Sequence, residues 1–289
     1  MGELVQTTIG GLTLGAQYAL MALGFSLAFG ILRVINFAHG AFYVVGGYLA
    51  YWVTTELGLP YVLGVVVAVL GTAAIGYAFE LFIIERRIDD HLATIVLTLG
   101  ASLIGGAAML SLFGAQAVQF SGGLTGTFRL GGVFVPHARV MIIVVAGLAI
   151  GAVYLLLYKT QIGNALRALT DDREMAVAMG MRPKVLFPMA FAIATGLAGL
   201  TGALVTPQFS LAPFVGEQVL MISFLAVILG GLGSLPGAVI ASILVGLVEA
   251  FVGTYVGGSW APLLLFTGIL VLLVVRPSGL LGHRTIIDA

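Results

Sequence analysis

The chain has no cysteine and very little charge. The first absence excludes disulfides, thiolate nucleophiles and cysteine-ligated metals or clusters. The second says more. Asp, Glu, Lys and Arg make up 8% of the 289 residues, against 60% hydrophobic, which is too apolar for an ordinary soluble surface. Acidic and basic residues balance, so no net charge draws the chain to nucleic acid. There is no Gly-Lys dipeptide, hence no Walker A phosphate loop, and ATP cannot be bound by that route. H-E-x-x-H and G-x-S-x-G are missing, and the four histidines (His39, His91, His137 and His283) are scattered. These gaps argue against an intramembrane hydrolase or metalloenzyme.

What the chain does have is long uncharged runs. A membrane span needs roughly 20 mostly apolar residues. Cutting the runs at Pro, Gly and polar breaks predicts spans near 8–32, 36–55, 61–84, 92–114, 140–158, 185–206, 218–233, 237–255 and 262–275. The first run follows no basic segment and is too long for a signal-peptide core, so it reads as a retained span. No stretch is long and polar enough for a soluble domain. The expected fold is all-α: one polytopic membrane bundle over residues 1–289, with eight or nine transmembrane segments, some broken or re-entrant.

Side follows from the basic residues. If the connections alternate, one side receives Arg33, Arg86, Arg87, Lys159, Arg167, Arg173, Arg182, Lys184, Arg276 and Arg284. The other receives Arg129 and Arg139. The positive-inside rule then puts the N-terminus outside and the C-terminus in the cytoplasm. Trp52 and Trp260 fall near the outer interface, as aromatic belts do. Glu80, Glu217 and Glu249 fall near span ends, where snorkelling or pairing accounts for them.

Two junctions interrupt the apolar pattern: R-V-I-N-F-A-H-G at 33–40 and G-G-L-G-S-L-P-G at 230–237. Interrupted segments in two halves of a chain point to a transporter's path, which selects Asn36, Phe37, His39, Gly231 and Ser234. Ordinary cytoplasmic turns with glycine caps fit the same pattern. Asn36 and His39 either line the path or satisfy local backbone groups.

The densest charge lies at 159–184, the largest cytoplasmic island. Its apolar residues do not share one stripe, which predicts two short helices. Thr170 or Asp171 is the expected cap of the second, Gly180 its end, and Pro183 blocks continuation. Apolar residues among exposed charges suit docking into a groove on another protein, and a solvated loop helix fits too.

Several segments then match a known family. They are Y-A-L-M-A-L-G-F at 18–25, I-N-F-A-H-G at 35–40 and G-N-A-L-R-A at 163–168. A-V-I-L-G-G-L-G-S-L-P-G-A follows at 226–238, and the tail R-P-S-G-L-L-G at 276–282. The chain resembles, nearly end to end, the permease subunits of branched-chain amino acid (leucine/isoleucine/valine) ABC importers. The resemblance implies half of a translocation path in the bacterial inner membrane. It implies a sister permease, usually a heterodimer partner, two cytoplasmic ATPases that bind the ATP, and an extracytoplasmic solute-binding protein. It implies no catalysis and no cofactor in this chain. The island would be the coupling element, through Ala165, Arg167, Ala168, Asp172, Glu174, Ala176 and Gly180. Glu174-Met175-Ala176 with Gly180 is similar to the E-A-A-x3-G pattern by which such permeases dock on ATPases, with Met in place of the second Ala. The competing class is an ion-coupled secondary transporter or channel, which needs a carboxylate deep in the bundle.

Overall fold

The computed structural model describes residues 2–122, 126–130, 133–276 and 278–281. Pro277, Gly282, His283 and Arg284, named above, lie outside the described residues. In lipid every backbone polar group must be satisfied within the chain, and an uncharged sequence does this by winding into helices. Among the described residues there are eleven: α1 (Gly2–Leu32), α2 (His39–Tyr51), α3 (Tyr61–Phe79), α4 (His91–Phe113), α5 (His137–Lys159), α6 (Gln161–Asp171), α7 (Arg173–Ala178), α8 (Pro183–Val205), α9 (Gly216–Gly230), α10 (Leu235–Tyr255) and α11 (Trp260–Val275). Six are long and apolar enough to cross a membrane, counting α3 with its continuation to Arg87. The helices α9 and α11 are apolar but shorter. One element departs from the all-helical expectation. Strands β1 (Thr127–Leu130) and β2 (Val133–Pro136) pair antiparallel between α4 and α5, with Thr127 opposite Pro136.

The helix α1 is the most enclosed of the candidate spans and forms the axis of the bundle. It packs on α10, α8, α5 and α9, while α8 also carries α2 and α3. Small residues set these contacts, as lipid provides little hydrophobic drive between helices. A Cβ on Gly15 would lie 2.8 Å from the Ile243 Cα of α10, and one on Gly46 of α2 would overlap the backbone of Gly199 in α8. The helix α4 lies at the rim. Its Leu92, Val96, Leu103, Ile104 and Leu112 stand open, as suits a lipid-facing surface.

The charge-bearing connections gather at one end of the bundle. Arg33 Nη2 reaches the Thr170 carbonyl at 3.4 Å, and Arg173 Nη1 pairs with Asp89 Oδ1 at 3.0 Å. The turn Gly230–Leu235 lies at this end too, with Gly233 beside Gly30 of α1. The hairpin β1–β2 and the segment 206–215 lie at the far end. There Leu211 and Val118 exchange two backbone hydrogen bonds of 2.9 Å, and Leu211 is fully buried.

Candidate functional site

The chain reverses direction after α1 through Arg33, the one non-glycine residue with a left-handed backbone among those described (φ 56°). It then re-enters the bundle. The Ile35 carbonyl accepts from Thr98 Oγ1 of α4 at 3.2 Å. Asn36 Oδ1 accepts from the Ala38 N–H at 3.0 Å, and its carbonyl accepts from the His39 N–H at 3.2 Å, which starts α2. Asn36 and His39 are both fully enclosed. Asn36 Nδ2 has no hydrogen-bond partner among the described residues, while the His39 ring faces the Met21 backbone of α1. The His39 ring lies edge-on to Phe25 of α1 at 6.1 Å and touches the space beside Gly24. Phe37 is half-buried.

These contacts place the start of α2 well inside the bundle. Gly24 is eight residues before the end of α1, roughly 12 Å of helix rise. Gly24 also lies against the carbonyl of Ala194, eleven residues into α8, roughly 16 Å. The helix α9 begins at the same depth. After α8 the segment 206–215 turns inward from the far end, and Gly216 meets Gly40 backbone to backbone. A Cβ on Gly40 would lie 2.5 Å from the Gly216 carbonyl oxygen, and one on Gly216 would lie 2.9 Å from Val44. So α2 and α9 start side by side in the interior and leave in opposite directions. Asn36 and His39 belong to this junction. Gly216 does too, and sequence reasoning missed it; the pair Pro207 and Pro213 ahead of a short helix was the available signal.

Gly231 and Ser234 are elsewhere. The second interruption is a tight turn at the charged end, with Gly231 at φ 101° and Ser234 capping α10 through the Gly237 N–H at 3.2 Å. The tail closes this turn: Leu280 and Leu281 donate their N–H groups to the carbonyls of Leu229 and Gly230, at 2.8 and 3.0 Å.

Two carboxylates depart from the expected snorkelling positions. Glu80 is fully buried where α3 passes into a π-helical turn, and neither oxygen has a partner among the described residues. Glu249 sits six residues before the end of α10 and accepts from Tyr18 Oη, mid-way along α1, at 2.8 Å. Glu217 is exposed.

The island at 159–184 is a helix pair, α6 and α7. Thr160 caps α6 through the Gly163 N–H at 3.1 Å, and Leu166 and Leu169 anchor it in the core. The cap of α7 is Asp172, accepting from the Met175 N–H at 2.9 Å, in place of the expected Thr170 or Asp171. Thr170 is still inside α6, and its hydroxyl bonds back to the Leu166 carbonyl. Gly180 ends the pair at φ 89°, and Pro183 opens α8. Ala176 is 3% exposed and packs into its own chain, whereas Met175 and Met179 are 60% and 74% exposed. Glu174 is exposed, and Ala165 and Ala168 are half-buried. Arg167 donates to Asn164 Oδ1 at 2.7 Å and lies over the Tyr158 ring. A cavity of about 570 Å³ opens beside Arg167 and Asp171, reaching Ser26 and Gly233.

A family model described as the permease component of branched-chain amino acid transport systems matches residues 7–275. The chain belongs to that family. Among its relatives is the high-affinity branched-chain amino acid permease protein BraD of Pseudomonas aeruginosa, 29% identical over 96% of each chain. The permease protein LivH of Escherichia coli is 27% identical over 96% of each. The LivM permease protein of the same species is 26% identical over 93% of this chain and 68% of its own. Among solved structures, PsaBC from Streptococcus pneumoniae in complex with Fab superposes with a TM-score of 0.51 at 16% identity. It covers 96% of this permease and 93% of its own chain, a likeness of fold. This chain is a multi-pass membrane permease component of an ABC transporter.

Proposed function

We propose that this permease forms half of the path by which branched-chain or related amino acids enter the cell, with a sister permease as the other half. Two separate cytoplasmic ATPases supply the energy and bind the ATP, and an extracytoplasmic binding protein delivers the solute. The end-to-end match to the family carries this reading, and the named substrates of BraD and LivH support the solute class. The match to both LivH and LivM supports a sister permease. Nine spans, with the N-terminus outside and the charged end in the cytoplasm, suit the positive-inside rule. The path runs past Asn36, Phe37 and His39 and leaves near the turn bearing Gly231 and Ser234. The island docks on the ATPase with Met175, Met179 and Glu174 outward. Asp172 and Gly180 hold the shape of α7, Ala176 supports it from inside, and Ala165, Arg167 and Ala168 seat α6.

One observation favours a second reading. Glu80 and Glu249 lie deeper than their sequence positions suggest, and an ion-coupled carrier needs such carboxylates. Reconstitution separates the two. Leucine uptake should require the ATPases and ATP. Concentrative uptake by the permease pair alone, under a proton or sodium gradient, would establish the carrier instead.

A further inference from the structure

A helix N-terminus carries about half a positive elementary charge and unpaired N–H groups. The junction of α2 and α9 brings two such ends together in the interior. The N–H groups of Gly40 and Ala41 have no acceptor among the described residues. Asn36 adds a further donor. Its Oδ1 is taken by the Ala38 N–H, so its carboxamide lies over the first turn of α2, with Nδ2 enclosed and unpaired. Unsatisfied donors in a low-dielectric interior are unfavourable, and a site that meets an anion there resolves them. The first turn of α2 carries no acidic side chain, while that of α9 carries Glu217, which is exposed, so α2 supplies the donors.

We propose that the α-carboxylate of the transported amino acid is met at this junction, by the Gly40 and Ala41 N–H groups and the Asn36 carboxamide, when α2 and α9 part. In the present structure the junction is shut, because the Gly40 and Gly216 backbones touch and leave no room for a ligand. Glycine at both positions permits that closure. Opening uncovers donors that otherwise have no partner, so the solute's own carboxylate stabilises the open state. The ammonium and apolar side chain are left to the walls formed by Phe25, Leu220 and Phe224, which surround the junction. The inference rests on the reading of the chain as an amino-acid permease.

The test uses the full assembly with its ATPases in nanodiscs. The chain has no cysteine, so Ala38→Cys is a unique probe; Ala38 is 2% exposed and makes no side-chain hydrogen bond. At rest the thiol should resist a membrane-impermeant reagent. During ATP turnover it should react at least tenfold faster, and millimolar leucine should slow that reaction. Isoamylamine, which has the side chain and the ammonium but no carboxylate, should give no protection. Equal protection by both overturns the carboxylate assignment, and a thiol that stays unreactive through turnover overturns the opening. A second arm uses Asn36→Asp in proteoliposomes supplied with saturating binding protein. A like charge should cut leucine uptake at least tenfold, with Asn36→Gln closer to the parent. Uptake by Asn36→Asp at the parent rate overturns the proposal. If the parent assembly imports no amino acid while the ATP-dependent reactivity of Ala38→Cys persists, the permease reading has failed separately from the opening of the junction.

Discussion

A single methyl group decides whether α2 and α8 can meet. Gly46 and Gly199 touch backbone to backbone, whereas Gly147 on α5 faces open space. Gly46→Ala must therefore push the helices apart and should destabilise the bundle by about 1–3 kcal/mol. Gly147→Ala should change little. Thermal melting of the purified protein in detergent, read by fluorescence-detected chromatography, separates the two; equal melting of both variants would refute the tight contact. The sequence holds 41 glycines, as suits close helix packing, but which of them matter depends on neighbours far off in the sequence, as Gly199 is from Gly46. The carboxylates show the same limit. Glu80 and Glu249 looked peripheral because they fall near the ends of apolar runs. The depth of Glu249 is set by its partner Tyr18, on a helix at the other end of the sequence.

At the scale of elements, the helices were legible because uncharged runs of this length have one stable form in lipid. Each of the nine predicted spans overlaps an observed apolar helix, although α1 begins earlier than predicted and six of the described helices are long and apolar enough to cross. The helix pair of the island was legible as well, from its broken stripe and its end at Gly180, although the cap of α7 is Asp172 and not Thr170 or Asp171. Its orientation was not. The E-M-A-x3-G spacing suggested Ala176 as a contact, yet the fold turns Ala176 inward and leaves Met175 and Met179 outside. This distinction is measurable. Met179→Asp should leave the permease accumulating normally while at least tenfold less ATPase co-purifies. Ala176→Asp buries an unpaired charge, so it should lower accumulation of the permease itself. Arg173→Ala should be mild, since its pairing with Asp89 is largely exposed. Normal ATPase recovery with Met179→Asp would move the docking surface off α7. The start of α9 was the element least legible. Segment 206–215 is uncharged, so only Pro207 and Pro213 separate a re-entrant loop from the end of a span.

For the whole molecule, sidedness rests on charge rather than on packing. The structure draws Arg33, the α3–α4 turn, α6, α7 and the α9–α10 turn to one end, and these carry most of the basic residues. Arg129 and Arg139 go to the other end with β1 and the start of α5. Lys and Arg in short loops are retained on the cytoplasmic side, so the gathering of most described basic residues at one end supports the proposal that this end faces the cytoplasm. The cysteine-free background allows a direct check with two exposed positions, Ser121 at the far end and Met179 at the charged end. In spheroplasts, an impermeant maleimide should label Ser121→Cys without permeabilisation and Met179→Cys only after it. The reverse pattern would invert the molecule in the membrane and remove α6 and α7 from reach of any cytoplasmic ATPase. Labelling of both from outside would mean that α5, the one long apolar helix described between them, fails to cross, although its 23 residues meet the length a bilayer demands.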